Sequence, residues 1–438
     1  MKNIYIVGMG YVGTSLSAVI ADSGHSVTGI DIDTELVKAI NQGECPIEEE
    51  MITDRFEEYA KSGRITASTS YEGIADADTV IVTVGTPLEG ANPDLTAVNA
   101  ATEAIGNYLT PDTLVIFRST LPAGATEKKI RPILDDISGL KAGDEYSLAF
   151  CPERMAEGSA YKDLTTLPVV VGGLTDACQQ EIEAFWNEMG QDTVAVSSPT
   201  AAELTKLADN WWIDLNIALA NELALLSEQL GVDVLEVIHA ANTLPKGQHN
   251  VNILFPGSGV GGSCLVKDPW FVADLGDAHG LNLKTPRVSR EVNDQMPGHI
   301  VGLADGALDG LENERIVVLG YAFKGGTDDT RNTPAKPIVE RFRNHGADIQ
   351  VTDPHVPDEQ ITDEVGINPV ELTVALKNAD AVILVTGHEK YRELSPESLI
   401  ENVGSESFVV VDGRHVFNPD DFEGKAVDYR GVGRGKNE

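Results

Sequence analysis

The stretch that most restricts the fold of this chain is its start. An apolar, β-branched run, Lys2 to Val7, stops at Gly8-Met-Gly10-Tyr-Val-Gly13, and a helical pattern follows from Thr14 to Asp22. A strand, a Gly-x-Gly-x-x-Gly turn and a helix in that order predict a doubly wound parallel sheet, because each glycine has a geometric duty. Gly8 permits the tight turn, Gly10 lets backbone approach a pyrophosphate, and Gly13 lets the helix pack on the strand. The diphosphate then rests on the helix N-terminus, where free N–H groups and the helix dipole favour anions, with Tyr11 and Val12 part of the same surface. A second strand, His25 to Ile30, ends at Asp31, about twenty residues on, as suits a carboxylate that reads a ribose 2′-hydroxyl; Asp33 is the alternative reader. No Arg follows at once to receive a 2′-phosphate, so NAD is expected over NADP.

At 438 residues the chain exceeds one ordinary core, and the patterns divide it into three expected domains. Residues 1–199 keep alternating strand and helix. One strand ends at Thr83, Gly85 and Thr86, another at Arg118-Ser119-Thr120, and a third runs into the loop carrying Glu153, Arg154 and Glu157. Ordinary turn chemistry explains any one of these loops, but hydroxyls and carboxylates on several of them point to a shared cleft at the carboxyl edge of the sheet. Residues 200–300 are expected to be helical. Apolar positions recur at helical spacing from Thr200 to Leu230 without an interrupting proline, which predicts one long helix crossing between domains. Lys206 and Asn210 lie one turn apart on it, either as solvated residues or aimed into a site.

Residues 301–438 open a second strand–turn–helix unit at Arg315 and continue as a second α/β sheet. Gly320 stands there without further motif glycines, which argues against a second dinucleotide site, whereas Lys324, Arg331 and Arg414 suit a phosphate-bearing ligand. The last stretch, 431–438, is expected to fray.

Between these sheets lies Phe255 to Phe271, where Gly257, Gly259, Gly261 and Gly262 surround Cys264. Glycine serves where backbone must come close to a ligand or take positive φ, so the cysteine reads as presented. Lys267 could supply the cation that favours a thiolate, and Asp268 adds a carboxylate. A glycine-rich turn around a buried structural cysteine is the other reading of these residues alone. Cys45, Cys151, Cys178 and Cys264 contain no Cys-x-x-Cys pair and the nine histidines form no ligand-spaced cluster, so neither a disulfide framework nor a metal is expected.

The 69 acids against 32 Lys and Arg leave a net charge of -37, which disfavours a nucleic-acid partner. The acids are spread along the chain, Glu48 to Glu50, Asp135, Asp136, Asp328, Asp329, Asp420 and Asp421 among them, and predict an acidic surface throughout. Such a surface fits a high-salt cytoplasm, with an ordinary acidic enzyme as the rival reading. No uninterrupted apolar stretch is long enough to span a bilayer and no signal peptide precedes the first strand, so a soluble, cytoplasmic protein is expected.

With these residues in hand, the chain resembles the UDP-glucose/GDP-mannose dehydrogenase family over essentially its full length. The markers are Gly8-x-Gly10-x-x-Gly13, Ser119-Thr120-x-Pro122, Pro152-Glu153, Ala202-Glu203-x-x-Lys206, Gly261-Gly262-Ser263-Cys264 with Lys267-Asp268, and Ala322-Phe323-Lys324 through Thr327-Asp328-Asp329-x-Arg331. The resemblance implies an NAD-binding domain, a central helical domain that usually makes a homodimer, and a C-terminal domain for a UDP-sugar, whose CH₂OH is oxidised twice to a carboxylate. It implies that Cys264 carries a thiohemiacetal and then a thioester. Lys206 and Asn210 would stabilise developing oxyanion character, Asp268 and Thr120 organise protons and water, and Glu153 serve hydrolysis. Gly261, Arg154 and Lys324 would touch the sugar nucleotide along with Glu153, Lys206 and Asn210, while Thr120, Glu157, Lys267 and Arg331 would lie near the cofactor.

Within the family, Cys151-Pro-Glu-Arg154, Asp214 to Glu222 and Asp268-Pro-Trp-Phe271 are similar to the UDP-N-acetylmannosamine enzymes, whereas glucose enzymes typically read Asn-Pro-Glu-Phe-Leu at the first of these. Ser263, where those enzymes usually carry His, and Lys267, more usual in the glucose type, depart from that pattern and keep UDP-N-acetylglucosamine and UDP-glucose open. A non-catalytic nucleotide-sugar sensor would have lost Cys264, Lys206 or Asp268, and all three are present.

The charge yields a prediction. Self-repulsion is relieved by counterions, and screening tightens to about 3 Å at 1 M salt, so molar KCl should raise both melting temperature and activity over low salt. Equal stability and activity in dilute buffer would exclude the high-salt reading.

Overall fold

In the computed structural model, which describes residues 1–90, 92–405 and 407–434, the opening apolar run forms β1 (Asn3–Val7). Seven more strands complete its sheet: β2 (Ser26–Ile30), β3 (Ile65–Ser68), β4 (Thr79–Val82), β5 (Leu114–Phe117), β6 (Ser147–Phe150), β7 (Val169–Gly173) and β8 (Thr193–Ala195). Their order is β8-β7-β6-β5-β4-β1-β2-β3. Every residue of β4 and β5 is buried, as continuous apolar strands are when both faces of a sheet are covered. One join is antiparallel: β7 meets β6 through Ala149↔Gly173 and Phe150↔Gly172, so the sheet is mixed toward that edge rather than wholly parallel.

Strand order reverses between β1 and β4, and the glycine turn sits there. The first helix starts at Tyr11, a turn earlier than the apolar pattern alone implied, because Thr14 N–H already donates to the Gly10 carbonyl at 2.9 Å. Thr83, just beyond β4, closes the crevice by donating its hydroxyl to the carbonyls of Gly8 at 2.7 Å and Val7 at 3.1 Å. This strand-end crevice at a reversal point is where open α/β sheets bind ligands.

The chain forms two compact units, Met1–Asp209 with Trp270–Leu281, and Asn210–Pro269 with Asn282–Glu438. The long helix runs Pro199–Leu230, and its residues are shared between them. In the second unit β9 (Arg315–Leu319), β10 (Asp348–Thr352), β11 (Ala381–Leu384), β12 (Phe408–Asp412) and β13 (Val427–Gly431) form a sheet ordered β10-β9-β11-β12-β13. All its neighbours are parallel. Ala220 and Ala224 of the long helix, Ile238 of the helix Val234–Ala241 and Met296, Ile300 and Ala304 of the helix Thr285–Leu308 share a core with Ile316 and Val318 of β9.

The expected fraying of 431–438 is corrected for its first half. Val432 is fully buried, Gly433 N–H donates to Glu228 at 2.7 Å, and Val234 N–H donates to the Gly433 carbonyl at 2.8 Å. Gly433 fits because it has no Cβ, which would stand 2.4 Å from Val234. Residues 435–438 lie outside the described residues.

Two glycines of the first turn should fail differently. A Cβ on Gly13 would sit 1.9 Å from the Gly8 carbonyl oxygen, whereas one on Gly10 meets nothing within 4 Å. Gly13→Ala is therefore expected to lower the melting temperature, by the roughly 1–3 kcal/mol typical of overpacking. Gly10→Ala should melt within about 2 °C of wild type yet bind NAD at least about tenfold more weakly, because its methyl enters the space left for the diphosphate. Calorimetry and NAD titration of the two variants check this; undiminished NAD affinity in Gly10→Ala would refute it.

Candidate active site

In the first unit the reversal point carries the features of a dinucleotide cradle. Gly10 caps the first helix without any side-chain bond and the first turn holds no acid, so the helix N-terminus remains available to an anion. Asp31 Oδ2 accepts the Met9 N–H at 2.7 Å and Oδ1 accepts that of Asp33 at 3.0 Å, which fixes the carboxylate at the end of β2. The alternative reader, Asp33, caps the helix Thr34–Asn41, accepting from Glu35 N at 2.9 Å and Leu36 N at 3.2 Å. Beyond β4, Gly85 has open space about it and Thr86 is buried, while Val12 is half-buried in the first helix.

A residue that sequence reasoning counted as one surface acid among many proves to be internal. Glu49 is buried and accepts from the Tyr11 hydroxyl and from the N–H groups of Gly158 at 2.9 Å and Ala160 at 3.0 Å. It thus ties the loop of half-buried Glu157 to the glycine turn. No local pattern distinguishes Glu49 from Glu48 and Glu50; only the fold does. These groups fit NAD in geometry and charge.

The same unit places Glu153, Arg154, Thr120 and Lys206. Arg118, the residue after β5, donates to Glu153 Oε2 through Nε at 3.2 Å and Nη2 at 2.5 Å. Glu153 Oε1 accepts the N–H groups of Arg154 at 2.6 Å and Met155 at 2.8 Å. Burial alone would raise the Glu153 pKa, but the charge and hydrogen bonds of Arg118, the Met155 amide and the charge of Lys206 hold it below the usual carboxylate range. Arg154 itself pairs with Asp209 at 3.2 Å and reaches the Pro168 carbonyl at 3.4 Å. Thr120, two residues past Arg118, is half-buried, and Lys206 is almost wholly buried on the long helix. One turn earlier, Glu203 anchors that helix by accepting from Gly124 N at 2.5 Å, Thr126 N at 2.8 Å and Thr126 Oγ1 at 2.6 Å. Burial pushes the Glu203 carboxyl up to about 7 despite those donors.

In the second unit the cysteine loop is held by side-chain amides instead of a sheet. Asn216 accepts from Leu254 N at 2.9 Å and donates to the Asn252 carbonyl at 2.6 Å. Asn242 brackets Ile253 in the same way, at 2.8 and 2.9 Å. Asn221 accepts from Gly257 N at 3.0 Å and donates to Asn293 at 2.9 Å. Asn293 leads on to Asp214, which also takes Arg290 at 2.7 Å and Ser289 at 2.8 Å, all of them buried. Farther along, Gly262 N–H donates to the Arg331 carbonyl at 2.9 Å and Asn332 donates to the Gly262 carbonyl at 3.1 Å. Gly262 takes φ +86°, and a Cβ on Gly261 would stand 2.6 Å from Phe323, so this loop needs both glycines.

At the end of that loop Cys264 is exposed, its sulfur 3.6 Å from the Ser263 hydroxyl. Its carbonyl accepts both Lys267 N–H, at 3.1 Å, and Asp268 N–H, at 2.9 Å, so thiol, amine and carboxylate share one turn. The Lys267 amine, expected to favour the thiolate, is bonded to Asp268 Oδ1 at 2.6 Å. Asp268 Oδ2 takes Asn210 Nδ2 at 2.5 Å, and both residues are buried. Lys324 is exposed, and Arg331 grips Asp329 with Nε and Nη2 at 2.5 to 3.0 Å. Arg414 donates to the Val385 carbonyl at 2.7 Å, and burial lowers its pKa to about 10.

Comparison with known proteins finds three matching family domains along the chain. Residues 2–190 match the NAD binding domain of the UDP-glucose/GDP-mannose dehydrogenase family, 200–295 its central domain and 317–419 its UDP binding domain. A UDP-N-acetyl-D-mannosamine dehydrogenase of Pyrococcus horikoshii is 34% identical, with 99% of each chain covered. An NDP-N-acetyl-D-galactosaminuronic acid dehydrogenase of Ralstonia solanacearum is 33% identical over 95% of this chain and 96% of that one. The solved Pyrococcus horikoshii enzyme superposes with a TM-score of 0.89, covering 99% of both chains. A UDP-glucose dehydrogenase from Pyrobaculum islandicum, 29% identical, also gives 0.89, over 99% of this chain and 98% of that one. Among the described residues no helix is long and apolar enough to cross a membrane. With a glycine cradle for NAD, a second α/β sheet for a UDP group and sequence matched from end to end, this chain belongs to the UDP-glucose/GDP-mannose dehydrogenase family.

Proposed function

We propose that this enzyme oxidises the C6 CH₂OH of UDP-N-acetyl-D-mannosamine to a carboxylate in two steps, with Cys264 as covalent nucleophile. The observation that carries the mechanism is the exposed thiol on a turn whose carboxylate, Asp268, is buried and already bonded to Asn210 and Lys267. The substrate reading rests on resemblance: relatives named for UDP-N-acetyl-D-mannosamine are 34% and 32% identical over nearly the whole chain.

Bound NAD supplies a two-electron acceptor in each oxidation, two molecules per sugar. The residues of the chain supply the rest. The Cys264 sulfur bonds to the aldehyde carbon left by the first oxidation while the thiol proton passes to the oxygen, giving a thiohemiacetal. Loss of two electrons and two protons turns that adduct into a thioester. Water then adds to the carbonyl carbon, the carbon–sulfur bond breaks, and the products are a carboxylate, one proton and the restored thiol. Lys206 and Asn210, a turn apart on the long helix, serve the oxygen as charge develops on it. Asp268 and Thr120 order protons and water, and Glu153 serves the hydrolytic step.

The reading extends to domains at 1–199, 200–300 and 301–438, and to a homodimer. Trp212, Leu219 and Leu226, spaced seven apart on the long helix, are all exposed, a stripe suited to a second copy of the same helix. UDP-glucose is the second reading of the substrate, favoured by the 0.89 superposition on a UDP-glucose dehydrogenase.

NADH release in high salt against UDP-N-acetylmannosamine, UDP-N-acetylglucosamine, UDP-glucose and GDP-mannose tests the substrate, and the first is expected to show the highest kcat/KM. A pocket built for an N-acetyl group leaves polar partners unmatched when that group is missing, a difference that discriminates strongly. UDP-glucose in first place would reassign the substrate without touching the cysteine chemistry. Cys264→Ser is expected to keep its affinity for NAD and UDP-sugar while uronate formation falls by a factor on the order of a thousand or more. Near-normal steady-state turnover in that variant would remove Cys264 from its role.

A further inference from the structure

Among the polar groups of the first unit, Arg118 is the cation most fully withdrawn from water around Glu153: its side chain is 3% exposed, and its guanidinium carbon lies 5.0 Å over the Trp186 ring. Its fork takes one oxygen of Glu153, at 3.2 and 2.5 Å, while the backbone of Arg154 and Met155 takes the other, at 2.6 and 2.8 Å. Four donors on two oxygens fix the plane of the carboxylate. The guanidinium is in turn fixed by the indole beneath it and by its position one residue beyond β5, where Arg118 N–H donates to the Val82 carbonyl at 2.9 Å. Arg118, Glu153 and Trp186 line one small cavity with Arg154 and Asp163.

We propose that Arg118 is the positioning residue for Glu153, setting the orientation and charge with which that carboxylate serves the hydrolytic step. The inference rests on the reading of Glu153 given above. Held this way, with its lone pairs engaged by those four donors, Glu153 is a standing anion whose charge orients the dipole of the attacking water. Water oxygen bonds to the thioester carbon, the bond to Cys264 sulfur breaks, and the released proton passes to solvent. The other charged groups around Glu153 are Lys206 on the long helix, Arg154 with its partner Asp209, and Asp163 across the cavity. Of these, Arg118 alone donates side-chain hydrogen bonds to Glu153 among the described residues. A bidentate fork over an aromatic face is a geometry that lysine reproduces only in charge.

The test is single-turnover hydrolysis of the Cys264 thioester, followed by rapid quench and intact mass across pH, for Glu153→Gln, Arg118→Gln and Arg118→Lys, with melting temperatures alongside. Glu153→Gln is expected to accumulate the acyl-enzyme. Arg118→Gln should slow hydrolysis at least about tenfold and move the acid limb of its pH profile upward by about one unit or more, because the carboxylate loses its adjacent cation. Arg118→Lys should move the limb back toward the wild type while leaving the rate lowered. If Arg118→Gln fails to fold, the Arg118→Lys profile decides: a lowered rate supports the proposal and a wild-type rate overturns it. An unmoved acid limb in folded Arg118→Gln, with Glu153→Gln still trapping the thioester, overturns the role of Arg118 alone. Normal hydrolysis by Glu153→Gln overturns the Glu153 reading and this proposal with it.

Discussion

A carboxylate and a guanidinium removed from water, Asp214 and Arg290, hold the frame on which the cysteine loop hangs. Burying two charges costs several kcal/mol per ion unless nearly every lone pair and proton finds a partner. Asp214 meets that demand with Arg290, Ser289 and Asn293, and Asn293 passes the order on through Asn221 to the backbone of Gly257. Seven residues before the thiol, the loop is thus tied to two helices by groups that have no water to bond to instead. Loss of one partner from such a pair leaves an unpaired buried charge, commonly worth about 3–5 kcal/mol, so the position of the nucleophile and the stability of the helical core are one problem. A loop rich in glycine has little rigidity of its own, and the asparagine amides supply it from outside.

How much of this was visible in the residues follows from how local each signal is. The strand, turn and helix at the start, the long helix and the presented Cys264 all rest on patterns within a few residues, and each was readable. The apolar pattern of the long helix told its length but not which faces would be covered: Leu207 and Ala218 are buried, while Trp212 and Leu219 are exposed. The antiparallel join at β7 was invisible because strand direction is set by the connection, not by composition. Glu49, Arg118 and Asn221 escaped because these partners lie 35 or more residues away, and an acid, a base or an amide in isolation carries no mark of such a partner.

The second sheet repeats one device of the first and then closes it. As Met9 N–H donates to Asp31, so Tyr321 N–H donates to Asp353 at 2.6 Å, in each case from a turn after a central strand to the carboxylate ending its neighbour. Asp31 stays half-buried at its edge, whereas Asp353 also takes Ala322 N at 3.0 Å, His355 N at 2.9 Å, Val356 N at 3.0 Å and the fully buried ring of His388 at 2.9 Å. Burial would raise the Asp353 pKa, but hydrogen bonding and charge from His388 with the backbone donors bring it to about 2. With every lone pair engaged, this carboxylate has nothing left for a ribose. The lone Gly320 was the sequence-level sign of that difference.

The docking of Gly433 on Glu228 has a bearing on the order in which the protein is made. The two partners lie 205 residues apart, so Glu228 waits roughly 10 to 40 seconds of synthesis for its amide. All eight strands of the first sheet are complete by Ala195, and that sheet has its whole complement well before the wait begins. Gly433 packs against Ala224 and Val234, members of the core that the second unit builds from its helices and sheet. The helical segment of the second unit thus receives its last backbone tie from a residue made long after it.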